Sequence, residues 1–256
     1  MSKPDPSRIE RIPMSRFIAE YWWPDAGEHT ALIGPNGSGK TTIGMQLLAK
    51  ACERHPQTTG IALAMKPHKG PKSHGKKATG DKTVADLTRK LGGRITRTWP
   101  HPQLWPWQKR PLFWTYWPKH TMNPKVDNAI HQQAFETVIL DSYARGDRWL
   151  FADEIFGLTA ELKLGDELIT SWTRGRSMDM GVFGATQRPA HVPLWFYSES
   201  RHFFLWRMTD GGAYERLREI GSFDPHLIRA ALDTLGRHDC LYLYAPERWM
   251  AILTAD

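Results

Sequence analysis

Residues 29–51 read HTALIGPNGSGKTTIGMQLLAKA, and the order of residue types within them decides the fold. A short apolar run at 29–33 has the form of a buried strand. A glycine-rich turn follows, and from residue 40 the apolar residues recur at helical spacing. The turn, GPNGSGKTT over 34–42, satisfies G-x-x-x-x-G-K-[ST] in full and sits in the strand–turn–helix context that gives the motif its meaning. Gly34, Gly37 and Gly39 permit backbone conformations that aim several N–H groups inward at phosphate oxygens. Lys40 is expected to reach the β- and γ-phosphates, and Thr41 to offer its hydroxyl to Mg²⁺. The N-terminus of the helix adds a favourable partial charge. Gly34, Pro35, Asn36, Gly37, Ser38, Gly39, Lys40, Thr41 and Thr42 are therefore the expected triphosphate-binding residues, with ATP and Mg²⁺ as the expected ligands. No base-reading motif separates ATP from GTP.

Working outward, the next part such a site needs is an acid at the end of a neighbouring buried strand. RWLFADEI supplies it about 110 residues later. Asp153 is expected to hold the metal through a water. Glu154, one residue on, stands where a carboxylate can orient or deprotonate an attacking water, or else cap the following loop. A third element is GVFGATQRP, residues 181–189, an apolar strand that ends on Thr186 and Gln187. The carboxyl ends of parallel strands form the edge at which ligands bind in α/β sheets, so Gln187 is placed to sense the γ-phosphate. The alternative is that it satisfies a strand-end backbone group.

Around these parts, apolar runs bounded by turn residues predict strands at 29–33, 60–65, 112–117, 149–153, 181–186, 202–208, 240–244 and 249–253. Helical periodicity predicts helices at 40–54, 124–145, 161–174, 213–220 and 225–235, with a short one at 84–91. The alternation argues for one α/β domain over 1–256: a mostly parallel sheet covered by helices on both faces, with a hairpin-like finish. No stretch approaches the length of a membrane span, no signal-peptide core is present at the amino end, and Cys52 and Cys240 offer no disulfide framework. These features predict a soluble protein of a reducing, cytoplasmic setting.

One segment breaks the rhythm, a basic, Trp-rich insert at about 66–121. Between Met65 and Lys125 fourteen Lys or Arg face two acids, Asp81 and Asp86, although the whole chain carries only +7. The rest is therefore net acidic, and a basic insert on such a body suggests a polyanionic partner or a solvated lysine-rich loop. Its first part, KPHKGPKSHGKKATGDK, has too few apolar residues to fold alone and reads as a mobile loop. Its second part holds Trp99, Trp105, Trp107, Trp114 and Trp117, five of the twelve tryptophans. Among basic residues these can stack on unpaired bases, or pack a small core or an interface.

The order GPNGSGKTT, LFADEIFGL, RGRSMDMGVFGATQRPAHVP, RHFFLWRMTD, LGRHDCLYLY resembles the FtsK–HerA superfamily of ring-shaped DNA-pumping P-loop ATPases. Transporter-type ABC ATPases fit less well, because no LSGGQ-like signature precedes the acidic strand. The resemblance runs from about Gly27 to Tyr244, apart from the basic insert. It implies a RecA-like core in which Lys40, Thr41, Asp153, Glu154 and Gln187 form the in-chain site. It also implies a cation from the neighbouring subunit. Arg176 lies eleven residues before Gln187, at the spacing where FtsK-type motors carry an arginine finger, with Arg174, Arg188 and Arg201 as rivals. The family's glycine after that arginine is displaced, with Asp179 near its place and Gly181 two residues on. FtsK's separate winged-helix domain has no counterpart, which resembles compact phage or viral packaging members.

The resemblance thus implies an ATP-driven motor that moves double-stranded DNA through a homo-oligomeric ring, expected to be a hexamer, for genome packaging or a related transfer step. A capsid, portal or membrane partner, and a place in the host cytoplasm or the virion, are expectations of the same kind. The rival from another class is a Zot-like assembly or secretion ATPase acting on protein. Such proteins usually carry a membrane anchor.

Overall fold

The computed structural model of the chain describes residues 5–66, 82–208 and 211–256, so most of the lysine-rich tract, residues 67–81, lies outside the described residues. Among the described residues ten strands form a single sheet: β1 (Glu10–Pro13), β2 (Thr30–Ile33), β3 (Thr59–Leu63), β4 (Arg94–Thr96), β5 (Phe113–Tyr116), β6 (Arg148–Ala152), β7 (Met180–Thr186), β8 (His202–Trp206), β9 (Cys240–Tyr244) and β10 (Trp249–Thr254). Their order is β1-β10-β9-β8-β2-β7-β6-β3-β5-β4. Every pair is parallel except β8–β9 and β9–β10, so the eight strands read from the sequence are all present and the finish is an antiparallel hairpin, Trp249 opposite Tyr244.

The strands β6 and β7 show why the sheet is buried on both sides. In β6, Leu150 joins one core layer while Trp149 and Phe151 join the other. In β7, Val182 faces the first layer and Phe183 and Ala185 the second. This period-two split follows from the pleat, which turns successive side chains to opposite faces. The first layer is closed by Phe135, Val138 and Ile139 of the helix Pro124–Arg145 and by Leu168 and Trp172 of the helix Gly165–Arg174. The second is closed by Leu47, Leu48 and Ala51 of the helix Lys40–Arg54 together with Phe17 and Trp22 near the amino end. Gly181 carries no side chain because Trp149 fills the space: a Cβ there would lie 2.0 Å from the indole.

Helix limits follow local chemistry. The Asn123 side chain accepts from the Lys125 N–H, Pro124 opens the first turn, and Gly146 at φ 65° ends the helix. The helix expected from residue 161 begins instead at Gly165, after a wide turn over Gly157–Glu161 and a left-handed Lys163 at φ 55°. Two strands escaped sequence reading, β1 and β4, each at an edge of the sheet. They are four and three residues long and bury one side chain each, Ile12 and Thr96, too little to form a pattern. The Trp-rich part of the 66–121 tract supplies β4 and β5, and so one whole edge of the sheet.

Candidate active site

The carboxyl ends of β2, β6 and β7 converge, since these strands run parallel in the order β2-β7-β6. β2 delivers the turn that begins at Gly34, β6 delivers Asp153 and Glu154, and β7 delivers Thr186 and Gln187. They surround one cavity of about 590 Å³ whose walls include Lys40, Thr41, Asp153, Glu154 and Gln187. Its phosphate-loop wall runs from Asn36 to Thr42, and the expected ligands Gly34 and Pro35 do not line it.

Loop shape comes from glycine. Gly37 and Gly39 adopt φ 75° and 105°, left-handed conformations in which a Cβ is strained, and Gly39 caps the helix Lys40–Arg54. Gly34 is needed for a different reason: a Cβ there would come within 2.6 Å of the Trp206 Cβ. The Lys40 ammonium is buried and donates to the Gly34 and Pro35 carbonyls, each at 2.7 Å. Burial lowers its pKa to about 8, and the carboxylates of Asp153 and Glu154 oppose that fall. Thr41 donates its hydroxyl to Asp153 Oδ1 at 2.5 Å. The Ser38 hydroxyl is buried with no hydrogen-bond partner among the described residues.

These features fit a magnesium–triphosphate group. An orphaned hydroxyl, a lysine parked on loop carbonyls and a hydroxyl–carboxylate pair are unsatisfied or self-satisfied groups that phosphate oxygens and a hard cation would engage. Glu154 is half-buried, and burial raises its pKa above the usual carboxylate range while a hydrogen bond from the Thr186 hydroxyl, at 3.2 Å, acts against the rise. The Thr186 oxygen also accepts from the Arg188 N–H at 3.0 Å, so the end of β7 fixes the carboxylate.

Arg176 stands elsewhere. It lies in the turn Gly175–Met178 before β7, at the amino end of the strand whose carboxyl end carries Gln187. A seven-residue strand separates the two ends by roughly 20 Å. Its backbone packs on Gly27, and among the described residues its side chain has no ion-pair partner. Of the rivals, Arg201 is paired with buried Glu28 at 2.9 Å and shares that end of the sheet. Arg188 lies over the Phe156 ring, 4.8 Å from its centre, and Arg174 is exposed at a helix end. Asp179, near the place of the displaced glycine, takes φ 51° and ψ 32°, the left-handed backbone that glycine adopts freely and aspartate tolerates.

Sequence reasoning missed Lys66, whose ammonium lies 3.6 Å from Asp153 Oδ2, and also Met14 and His238, which line the cavity from distant parts of the chain. No spacing rule links these residues to the phosphate loop. Among the described residues no helix is long and apolar enough to cross a membrane.

No known family and no curated protein matches the chain. Solved structures do. The DNA-packaging ATPase B204 from Sulfolobus turreted icosahedral virus is 12% identical, with a TM-score of 0.57 over 91% of this chain and 100% of that one. The genome packaging NTPase B204 of Sulfolobus turreted icosahedral virus 2, in complex with ATP-gammaS, is 13% identical, with a TM-score of 0.54 over 91% and 100%. VirB4 of Thermoanaerobacter pseudethanolicus is 10% identical, with a TM-score of 0.57 over 92% of each chain. The fold of this chain is the RecA-like P-loop ATPase fold of these structures.

Proposed function

We propose that the chain is an ATP-hydrolysing motor that moves double-stranded DNA as a homo-oligomeric ring, in genome packaging or a related transfer step. One observation carries the reading: the acid pair Asp153 and Glu154, the strand-end Gln187 and the phosphate loop from Asn36 onward line one cavity, while Arg176, without an ion-pair partner among the described residues, is at the far end of β7. The site has two lysines, Lys40 and Lys66, and a base of its own, but no arginine lines it among the described residues. An arginine would come from a neighbouring copy, and that requirement favours a ring.

In this reading Lys40 leaves the Gly34 and Pro35 carbonyls for the phosphates and stabilises charge on the transferring group. Thr41 and Asp153 would hold Mg²⁺, which when bound supplies positive charge against the phosphate oxygens. Glu154 aligns a water and takes its proton as the water oxygen bonds to the γ-phosphorus and the bond to the β–γ bridging oxygen breaks. Burial keeps that carboxylate more basic than an exposed one. Gln187 reports the γ-phosphate to β7, and through β7 to the turn that carries Arg176.

Hydrolysis is expected to rise several-fold with duplex DNA, whose binding should fall steeply with salt. ATPase activity unchanged by any form of DNA, with binding indifferent to salt, would rule out a DNA motor and leave a protein-directed ATPase. The role of Arg176 has a separate test. Arg176→Ala and Glu154→Gln proteins, each inactive alone, are expected to recover activity when mixed, because an intact Glu154 site then meets a neighbour with an intact Arg176. No recovery at any ratio would count against the shared site.

A further inference from the structure

The five tryptophans of the 66–121 tract divide into two kinds. Trp114 and Trp117 are buried, and Trp99 donates its Nε1–H to Asp141 at 3.2 Å while packing edge-on against Tyr116. Trp105 and Trp107 stay outside. They stack on each other with ring centres 5.1 Å apart and planes 14° from parallel, yet remain 62% and 77% exposed. A closed turn holds them there: the Gln108 N–H donates to the Trp105 carbonyl at 2.8 Å, and the Gln108 side chain accepts from the Trp105 N–H at 3.1 Å. Two large apolar rings are thus ordered in water with their outer faces uncovered, an arrangement that favours a ligand with flat faces.

The turn leads directly into Lys109 and Arg110, which with Lys90 and Arg94 line an open groove of about 590 Å³. Glu53, the acid on this groove, is held by Lys50 at 3.0 Å, and among the described residues none of the four cations forms an ion pair. Arg110 is partly engaged by the Thr58 carbonyl and the Thr59 hydroxyl. Among the described residues Lys90, Arg94 and Lys109 have no such anchors. The groove borders the amino ends of β4 and β5, the opposite end of the sheet from the phosphate loop.

We infer that this face is a nucleic-acid site, one that takes an unpaired strand, with Trp105 and Trp107 stacking on its bases and Lys90, Arg94 and Lys109 receiving its phosphates. An unpaired strand offers base faces that a duplex hides in its own stack. An acidic peptide would satisfy the cations and leave the indoles uncovered. The site is remote from the cavity at Lys40, so the inference does not rest on the motor reading.

The test is fluorescence anisotropy without ATP, using labelled oligothymidylate, an abasic strand with the same number of phosphates, and a duplex. Trp105→Ala/Trp107→Ala is expected to weaken oligothymidylate binding about tenfold or more and to leave the abasic strand unaffected. Trp105→Phe/Trp107→Phe, which keeps flat rings, should restore much of the affinity. Lys90→Ala/Lys109→Ala should weaken both strands and flatten the salt dependence. Both indoles lie outside the core, so the alanine variant should keep the wild-type melting temperature. Unchanged oligothymidylate affinity in that variant would overturn the inference. If its sedimentation also shifts, the ring pair is a contact between copies of the chain.

Discussion

Replacing Lys40 by alanine is expected to lower ATP turnover by about 10²–10³-fold or more, the scale of losing a principal charge-stabilising donor from an enclosed phosphate site. The ammonium is already desolvated and held by the Gly34 and Pro35 carbonyls, so a bound triphosphate meets a cation whose hydration has been removed during folding. The same burial gives the site a pH signature. Its lowered pKa of about 8 means that the free site loses the ammonium as pH rises through 8, whereas the phosphate-bound site retains it. Nucleotide affinity should be insensitive to this group below pH 8 and fall by up to about tenfold per unit above it, with protons taken up on binding. Calorimetry in buffers of different ionisation enthalpy measures that uptake. A Lys40→Ala protein that still shows the alkaline decline would assign it to another group.

How far the sequence was legible depended on how local each signal was. The phosphate loop was readable because its parts are consecutive. Glycines that must turn left-handed, a lysine at the start of the helix and a buried strand before it all fall within residues 29–51. Asp153 and Gln187 were readable because strand ends in a parallel sheet meet at one edge. Lys66 was not, since its approach to Asp153 depends on β3 lying beside β6, a pairing that no residue of β3 announces. The displaced glycine after Arg176 shows the limit of pattern matching. Asp179 takes the left-handed backbone, so the turn has the conformation a glycine would permit without the residue the pattern requires. The Trp-rich tract shows the reverse, a single compositional signal that covers two environments. Trp114 and Trp117 belong to the sheet edge, whereas Trp105 and Trp107 are carried clear of it by a turn that only coordinates reveal.

In the proposed ring, the position of Arg176 would join these local readings to an assembly. Thr186 and Arg176 bracket the same strand, β7, which is central in the sheet and buried along its whole length. A strand packed in this way moves as a rigid unit more readily than it bends. If Gln187 responds to the γ-phosphate at one end, the turn that carries Arg176 feels the change at the other. A site shared as proposed would then couple the nucleotide state of one copy to that of the next.

The Glu154→Gln protein is expected to bind ATP with near wild-type affinity and hydrolyse it about 10²–10⁴-fold more slowly, the range that positioned bases contribute. Glutamine keeps an oxygen that can accept from the Thr186 hydroxyl, now at 3.2 Å, so the end of β7 should keep its conformation. What it cannot do is take a proton from water. Burial raises the carboxylate's pKa because the charged form lacks solvent, and Lys40 and Thr186 offset only part of that. The wild-type group is thus a stronger base than an exposed glutamate, and the loss on amidation falls on the chemical step. Single-turnover hydrolysis with radiolabelled ATP, beside filter binding of the same nucleotide, separates the two quantities. Normal turnover in Glu154→Gln would remove this carboxylate from the reaction. Loss of binding in step with loss of turnover would give it a role in holding the helical turn that begins at Ile155.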